Sequence, residues 1–263
     1  MAKWRLKRRA SRFEETASMK LLKVLWTLLR AFRHALVGYW TIKTRFPQLT
    51  QADQEGRVNV WSRQMLQIVG IELVVRGTPP AAGPVLLVAN HISWLDILVM
   101  HAARHCRFVS KSDVKAWPMV GTFADGSGTL YVERESRRDA HRVVGQMAER
   151  LTAGDILAVF PEGTTGDGVT LLHFHANLIQ AAIQAGVPVQ PIGLKFTDAA
   201  TGTTSFAPSY VGDETLVGSI WRTLTAPPLK AVVVFGAAQL ADGRNRRVWA
   251  QALRDDIEQL RLL

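Results

Sequence analysis

"VLLVANHISWLD", residues 85–96, carries five apolar residues into an asparagine and a histidine, and four residues separate that histidine from an aspartate. An unbroken apolar run of this length reads as a strand buried on both faces, the kind found inside a parallel sheet. Ser93 reads as the N-cap of a following helix, which places Asp96 at the third helical position, within the first turn. The turn between strand and helix then folds the aspartate back beneath the imidazole of His91. A carboxylate bonded to one ring nitrogen fixes the tautomer and leaves the other nitrogen as a base. That is the orienting half of a Ser-His-Asp arrangement, yet the chain has no Gly-x-Ser-x-Gly elbow to supply a nucleophile. A base without a protein nucleophile points to activation of a substrate hydroxyl. Taken alone, the pair reads more readily as a capping aspartate beside a structural histidine.

Working outward, short apolar runs alternate with helical patterns. Residues 71–77, 83–90, 107–111, 128–134, 187–196 and 229–237 read as strands, and "GDILAVFPEG" (154–163) as a strand and turn. Residues 94–104, 136–152, 171–186 and 246–263 read as helices, the third ended by Gly186. This alternation predicts one α/β domain over residues 70–263, with a mixed, largely parallel sheet flanked by helices. Ligand sites in such sheets gather beyond strand ends.

Residues 1–69 differ. Of the net charge of +10, all resides in residues 1–50, which hold 12 Lys or Arg against two Glu; residues 51–263 are balanced at 20 of each sign. Leu21, Leu22, Leu25, Leu28, Leu29, Phe32, Leu36, Tyr39 and Trp40 recur at spacings of three and four and form one apolar face. Lys20, Lys23, Arg30, Arg33 and His34 interrupt the run, which argues against a spanning helix. The pattern predicts a basic amphipathic helix lying in a membrane interface, paired with a second helix over about 50–69. A nucleic-acid arm is not expected, because the helix is too apolar for phosphate tracking. Neither a secretory signal nor its cleavage site is present in good form. Met19 is an alternative start. The single Cys106, in "RHCRFVS", excludes an internal disulfide and reads as a buried spectator thiol in a reducing compartment.

Other strand ends carry polar residues of catalytic type. "FPEGTT" (160–165) delivers Glu162 and a turn whose backbone N–H groups can hold an oxyanion or phosphate. "GTLYVER" carries Arg134 out of its strand, and Lys111 leaves another in the same way; a cation there can fork onto paired anionic oxygens.

Together these segments resemble the glycerolipid acyltransferase family that contains the bacterial 1-acylglycerol-3-phosphate acyltransferases. "NHISWLD" matches its Asn-His-x4-Asp motif, "GTLYVER" its Gly-x-x-aromatic-(Ile/Val)-x-Arg motif, "FPEGT" its third motif and "VPVQP" (187–191) its fourth, in family order over about residues 70–195. The resemblance implies acyl transfer from an acyl thioester (acyl-CoA or acyl carrier protein) to the hydroxyl of 1-acylglycerol-3-phosphate, giving phosphatidic acid. His91 would be the base, oriented by Asp96. Arg134 and Lys111 would hold the acceptor phosphate, Glu162 would shape that pocket, and the N–H groups near Gly163 and Thr164 would receive the oxyanion. No cofactor or metal is implied beyond the acyl donor. The partners implied are membrane lipids, the lysolipid acceptor and the acyl donor, at the cytoplasmic face of the cell inner membrane.

One residue departs from the pattern. Many members carry Arg directly after "FPEGT", where this chain has Thr165; loss of a planar guanidinium fork changes an anion clamp substantially. Lyso-ornithine lipid acyltransferases often read "FPEGTT", so O-acylation of lyso-ornithine lipid or another lysolipid is the alternative. A non-catalytic lipid-binding protein and a thioester hydrolase are further alternatives. Lys195 or Arg107 are candidates to restore the missing charge. His101 and His105, at i and i+4, and His173 and His175 are read as ordinary packing or surface residues, because no Cys or carboxylate stands at metal-ligand spacing. His175 and Asn177 are candidate pocket-lining residues.

Overall fold

A computed structural model describes residues 2–132 and 137–263, with side chains placed for 19–132 and 141–263. It is a three-layer α/β/α arrangement. Seven strands, β1 (Ile71–Arg76), β2 (Val85–Ala89), β3 (Arg107–Lys111), β4 (Leu130–Val132), β5 (Ile156–Val159), β6 (Val189–Asp198) and β7 (Leu229–Phe235), form one sheet in the order β1-β7-β6-β2-β5-β3-β4. From β6 to β4 all neighbours are parallel; β7 runs antiparallel to β6 and parallel to β1. The sheet is therefore mixed and mostly parallel, as the alternation predicts.

Every residue of β2 is buried, in keeping with its place between β5 and β6. Its side chains alternate between two cores. Val85, Leu87 and Ala89 pack with α2 (Gln51–Val69) and α3 (Leu95–Ala103), while Leu86 and Val88 pack with α5 (Arg137–Thr152), α6 (Gln180–Ala185) and α8 (Arg246–Leu262). Trp249 of α8 is fully buried in the second core.

The first helix, α1 (Ala2–Thr44), is 43 residues long, about 65 Å at 1.5 Å per residue. It packs on α2 through an interlock: the rings of His34 and Trp61 stack at 5.1 Å, the Trp61 indole N–H donates to the His34 carbonyl, and the His34 ring meets the Trp61 carbonyl. Gly38 makes room for that indole, since a Cβ there would lie 2.5 Å from Trp61 Nε1. Thr50 caps α2 by accepting the Asp53 N–H, and Gly70 ends it in the left-handed region at φ 79°. Leu28 and Tyr39 of the expected apolar face are half-covered, while Leu21, Leu22, Leu25, Leu29, Phe32, Leu36 and Trp40 are exposed together with Trp26 and Val37. Among the described residues no helix is long and apolar enough to cross a membrane.

One expectation fails locally, and among the described residues after β3 three helical elements appear where none was expected. The helix expected over 171–186 is reduced to α6, because backbone groups in its first half are engaged elsewhere. Leu172 N–H donates to the Glu162 carboxylate, His175 N–H to the Pro161 carbonyl, and Arg254 takes the Leu171 and Leu172 carbonyls. Helical turns after β3, a 3-10 turn (Ser112–Ala116) and α4 (Val120–Gly126), are short and carry no 3.6-residue signal. Helix α7 (Leu216–Thr225) hides behind the β-branched residues and Gly218 of its first turns, although Thr215 caps it by accepting the Gly218 N–H.

Candidate active site

Strand β2 ends at Ala89, and the next residue ties the turn to the neighbouring strand. Asn90 is buried; its side-chain N–H donates to the Leu194 carbonyl at 3.0 Å and its oxygen accepts the Leu194 N–H at 2.7 Å. The amide side chain thus continues the β2–β6 ladder where the main chain has left it. Asn90→Ala would strand both groups of Leu194 in the core; melting of the protein is expected to show about 2–5 kcal/mol lost.

His91 leaves this anchored point. Its Nδ1 lies 2.8 Å from Asp96 Oδ2, and the same oxygen accepts the N–H groups of Ile92 at 2.6 Å and Ser93 at 2.9 Å. Asp96 is fully buried, whereas the His91 side chain keeps 20% of its surface exposed. An ionised Asp96 requires the proton on Nδ1, which leaves Nε2 with its lone pair free. The helix begins one residue later than expected: Trp94 holds the cap position without a side-chain bond, Ser93 Oγ accepts the Leu95 N–H, and Asp96 is the second helical residue. That position suffices, because the three-residue turn brings the carboxylate under the ring.

The segment after β5 holds His91 by its backbone. His91 N–H donates to Glu162 Oε1 at 2.7 Å, and the His91 carbonyl accepts the Gly166 N–H at 2.8 Å. The imidazole lies flat on Phe160, with centroids 4.0 Å apart and planes within 5°, and Phe160 stacks in turn on Phe108. Glu162 is buried and its second oxygen accepts the Leu172 N–H. Burial pushes its carboxyl above the usual range, while the two amide bonds act in the opposite direction. Both oxygens are occupied by backbone, so Glu162 reaches the pocket through the loop it pins and not by direct contact with an anion. In Glu162→Gln an NH2 would face one of those amides; a 10- to 100-fold fall in turnover with unchanged acceptor KM is expected from steady-state kinetics.

The remaining expected residues divide. Lys111 is exposed at the C-terminal end of β3, beside Val132 of β4 and at the same end of the sheet as His91. Arg134 lies outside the described residues. The Gly163 N–H is not free for an oxyanion: it donates to the Phe160 carbonyl at 3.1 Å to close the turn, with Gly163 at φ 72°. The Thr164 N–H has no protein acceptor among the described residues, and Thr164 is exposed. Thr165 is turned away from an anion: its hydroxyl donates to the Tyr210 carbonyl. Tyr210 N–H donates to Ile92 O, so the loop before α7 roofs the turn that holds His91, and Arg222 of α7 braces it through the carbonyls of Ala207 and Ser209. That roof had no signature in the sequence.

Neither proposed substitute cation reaches the site. Arg107 starts β3 at the opposite end of the sheet and pairs with Asp155. Lys195 shares a sheet face with Gly193, which abuts α8; burial and then neighbouring Arg76 lower its pKa. His175 and Asn177 line a separate 290 Å³ cavity with Arg246 and Arg247. Cys106 is fully buried, and burial raises its thiol pKa. Among the described residues no cluster of His, Cys, Asp and Glu is placed to hold a metal.

A larger cavity, about 840 Å³, opens between α1, α2, α3, α4 and β3. Ile97, Leu98, Val120 and Phe123 line it, and Phe108 links it to the ring stack under His91.

This geometry has relatives. The family model described as Acyltransferase matches residues 67–195. The 1-acyl-sn-glycerol-3-phosphate acyltransferase of Neisseria gonorrhoeae is 37% identical over 192 residues, covering 73% of this chain and 72% of that protein. The lyso-ornithine lipid O-acyltransferase of Pseudomonas aeruginosa is 34% identical over 190 residues, 72% of each chain. The crystal structure of the 1-acyl-sn-glycerophosphate acyltransferase PlsC from Thermotoga maritima shares the fold, with a TM-score of 0.69 over 94% of this chain and 98% of that one at 18% identity. With these relatives, the chain belongs to the acyltransferase family, as an O-acyltransferase of the 1-acylglycerol-3-phosphate acyltransferase type.

Proposed function

We propose that the protein transfers an acyl group from acyl-CoA or acyl carrier protein to the free hydroxyl of 1-acylglycerol-3-phosphate, giving phosphatidic acid. The observation that carries this reading is the His91–Asp96 pair, whose imidazole bonds no Ser, Thr or Cys side chain among the described residues. His91 Nε2 takes the acceptor's hydroxyl proton as that oxygen attacks the thioester carbonyl. The tetrahedral oxyanion collapses, the C–S bond breaks, and the leaving thiolate takes the proton back from the imidazolium. Asp96 stabilises the imidazolium through Nδ1–H. The exposed Thr164 N–H is the oxyanion donor that the turn leaves available, and Lys111 with Arg134 would meet the phosphate. The donor's acyl chain would enter the cavity that begins at Phe108. As written, the reaction uses no cofactor besides the acyl donor.

The exposed apolar face of α1, with Lys20, Lys23, Arg30 and Arg33 exposed beside it, supports a peripheral position on the cytoplasmic face of the inner membrane. One specific observation favours a second acceptor. Thr165 stands where many relatives carry Arg and bonds the Tyr210 carbonyl, so the clamp for a phosphomonoester lacks a fork, and lyso-ornithine lipid is the alternative.

The deciding experiment offers both lysolipids side by side in mixed micelles with an acyl thioester. Lysophosphatidic acid is expected to be the preferred acceptor, with the activity lost in His91→Ala. Preference for the ornithine lipid would overturn the phosphatidic acid assignment. Thioester consumption without transfer would identify a hydrolase.

A further inference from the structure

A surface helix ordinarily buries its apolar stripe and turns its polar face to water. Helix α7 does the reverse. The residues it buries are Ser219 and Thr223, one turn apart, whereas Val217 and Trp221 are exposed at 77% and 45%. At about 100° per residue, Trp221 stands two positions from each buried residue and so points away from both. The inward groups are satisfied: Ser219 Oγ accepts the Trp94 indole N–H at 3.2 Å, and Thr223 Oγ1 donates to the Ser219 carbonyl at 2.8 Å. Arg222, the one charged residue of the helix, folds back onto Glu214 and the carbonyls of Ala207 and Ser209. The outer face of α7 therefore carries apolar side chains and no free charge. Phe206 and Val211, in the loop before it, are exposed as well.

The neighbours of this face identify what covers it. Helix α7 packs against α1, whose Trp26, Leu29, Phe32 and Trp40 are exposed. Helix α4 also packs on α1, and Trp117 and Val120 at its N-terminal edge are exposed. Four exposed tryptophans thus stand on α1 and on the two segments beside it. Exposed Trp among aliphatic residues is the composition of a membrane interface, where the ring settles at headgroup level. A face without free charge offers a nucleic acid or an acidic protein nothing to pair with, whereas a leaflet requires only apolar area. The Trp94–Ser219 bond ties α7 to the residue three positions past His91, and the loop before α7 roofs the same turn. Whatever α7 rests on lies next to the place where a lipid acceptor has to arrive.

We propose that α7 is a second lipid-contacting element, which inserts Val217 and Trp221 into the leaflet and so sets the His91 turn against the surface that supplies the acceptor. The inference rests on the reading that α1 lies on a membrane, and it adds a contact on the far side of the chain's sequence from α1.

The test places an environment-sensitive nitrobenzoxadiazole label at single introduced thiols in the full-length protein. Cys106 is buried, so the introduced thiol takes the label. Three sites are compared: Val217→Cys on α7, Leu29→Cys on α1, and Gln251→Cys, exposed on α8. With vesicles of phosphatidylcholine and phosphatidylglycerol, the labels at 217 and 29 are expected to brighten and shift to the blue, and to be quenched by lipids spin-labelled high on the acyl chain. The label at 251 is expected to stay as in water. In a second measurement, Val217→Ser with Trp221→Ser is expected to lower transfer to a lysolipid held in vesicles by about tenfold, and to leave transfer to a short-chain lysolipid dispersed as monomers within about twofold.

A response at 29 with none at 217 would overturn the inference, since the α7 face would then remain in water. A response at 217 that grows with protein concentration in the absence of lipid would overturn it in favour of contact with a second copy. An equal response at 251 would reduce the signal to nonspecific adsorption and overturn it too, as would equal losses on vesicle-held and monomeric acceptor. Silence at 29 with a lipid-dependent response at 217 would sink the α1 reading alone and support the α7 contact.

Discussion

His91→Ala is expected to lower acyl transfer by about 10²–10⁴-fold, with little change in acceptor KM, in the mixed-micelle assay. The substitution removes the imidazole with its Asp96 bond and Phe160 stacking, and keeps the backbone bonds to Glu162 and Gly166 that hold the turn. Melting close to that of the parent protein is therefore part of the expected result. Asp96→Asn separates orientation from charge. An asparagine oxygen in the Oδ2 position can still accept from Ile92, Ser93 and His91. Its NH2 would replace Oδ1, which already lacks a partner. What disappears is the negative charge under the imidazolium, so turnover is expected to fall about 10²-fold or more while the turn persists. Full activity in His91→Ala would remove His91 from the role of base, whereas full activity in Asp96→Asn would remove only the charge of Asp96 from the account.

The second large effect concerns attachment. Replacing Trp26, Leu29 and Phe32 together by Ser is expected to weaken binding to anionic vesicles by about 10²–10³-fold, as read by sedimentation. All three are exposed on α1, at 60%, 57% and 56%, so the change strips apolar area from the outer face without touching the Val24 and Gly38 side that meets the protein. Turnover on micelle-dispersed substrate should stay within a few-fold of the parent. Raising the salt should weaken the parent's vesicle binding, since screening acts on the exposed lysines and arginines. Unchanged sedimentation of the triple variant would assign vesicle attachment to another surface.

How far the fold could be read in advance depended on where each element's signal is stored. β2 and β5 are unbroken apolar runs because both their faces are buried, and that pattern is local and easily read. The same holds for α2 and α8, whose caps, Thr50 and Asn245, are written in the sequence. The stretch 171–179 has helical spacing, and its irregular, turn-containing path is imposed from outside by Glu162, Pro161 and Arg254. Within the site, His91 and Asp96 were legible because five positions and one turn determine their contact. The occupation of both Glu162 oxygens, the loss of the Gly163 N–H to its own turn, and the bond from Thr165 to Tyr210 depend on tertiary partners 10 to 71 residues away or on the turn's closure.

The bonds that seat the base span long stretches of chain: Glu162 reaches His91 across 71 residues, and Leu194 reaches Asn90 across 104. During synthesis the amphipathic α1 leaves the ribosome long before either partner exists. At elongation rates of about 5–20 residues per second, roughly 7–30 s separate emergence of that helix from emergence of β6. On the proposed membrane reading, the nascent helix meets lipid while His91 is still unsupported, so attachment precedes assembly of the His91 turn.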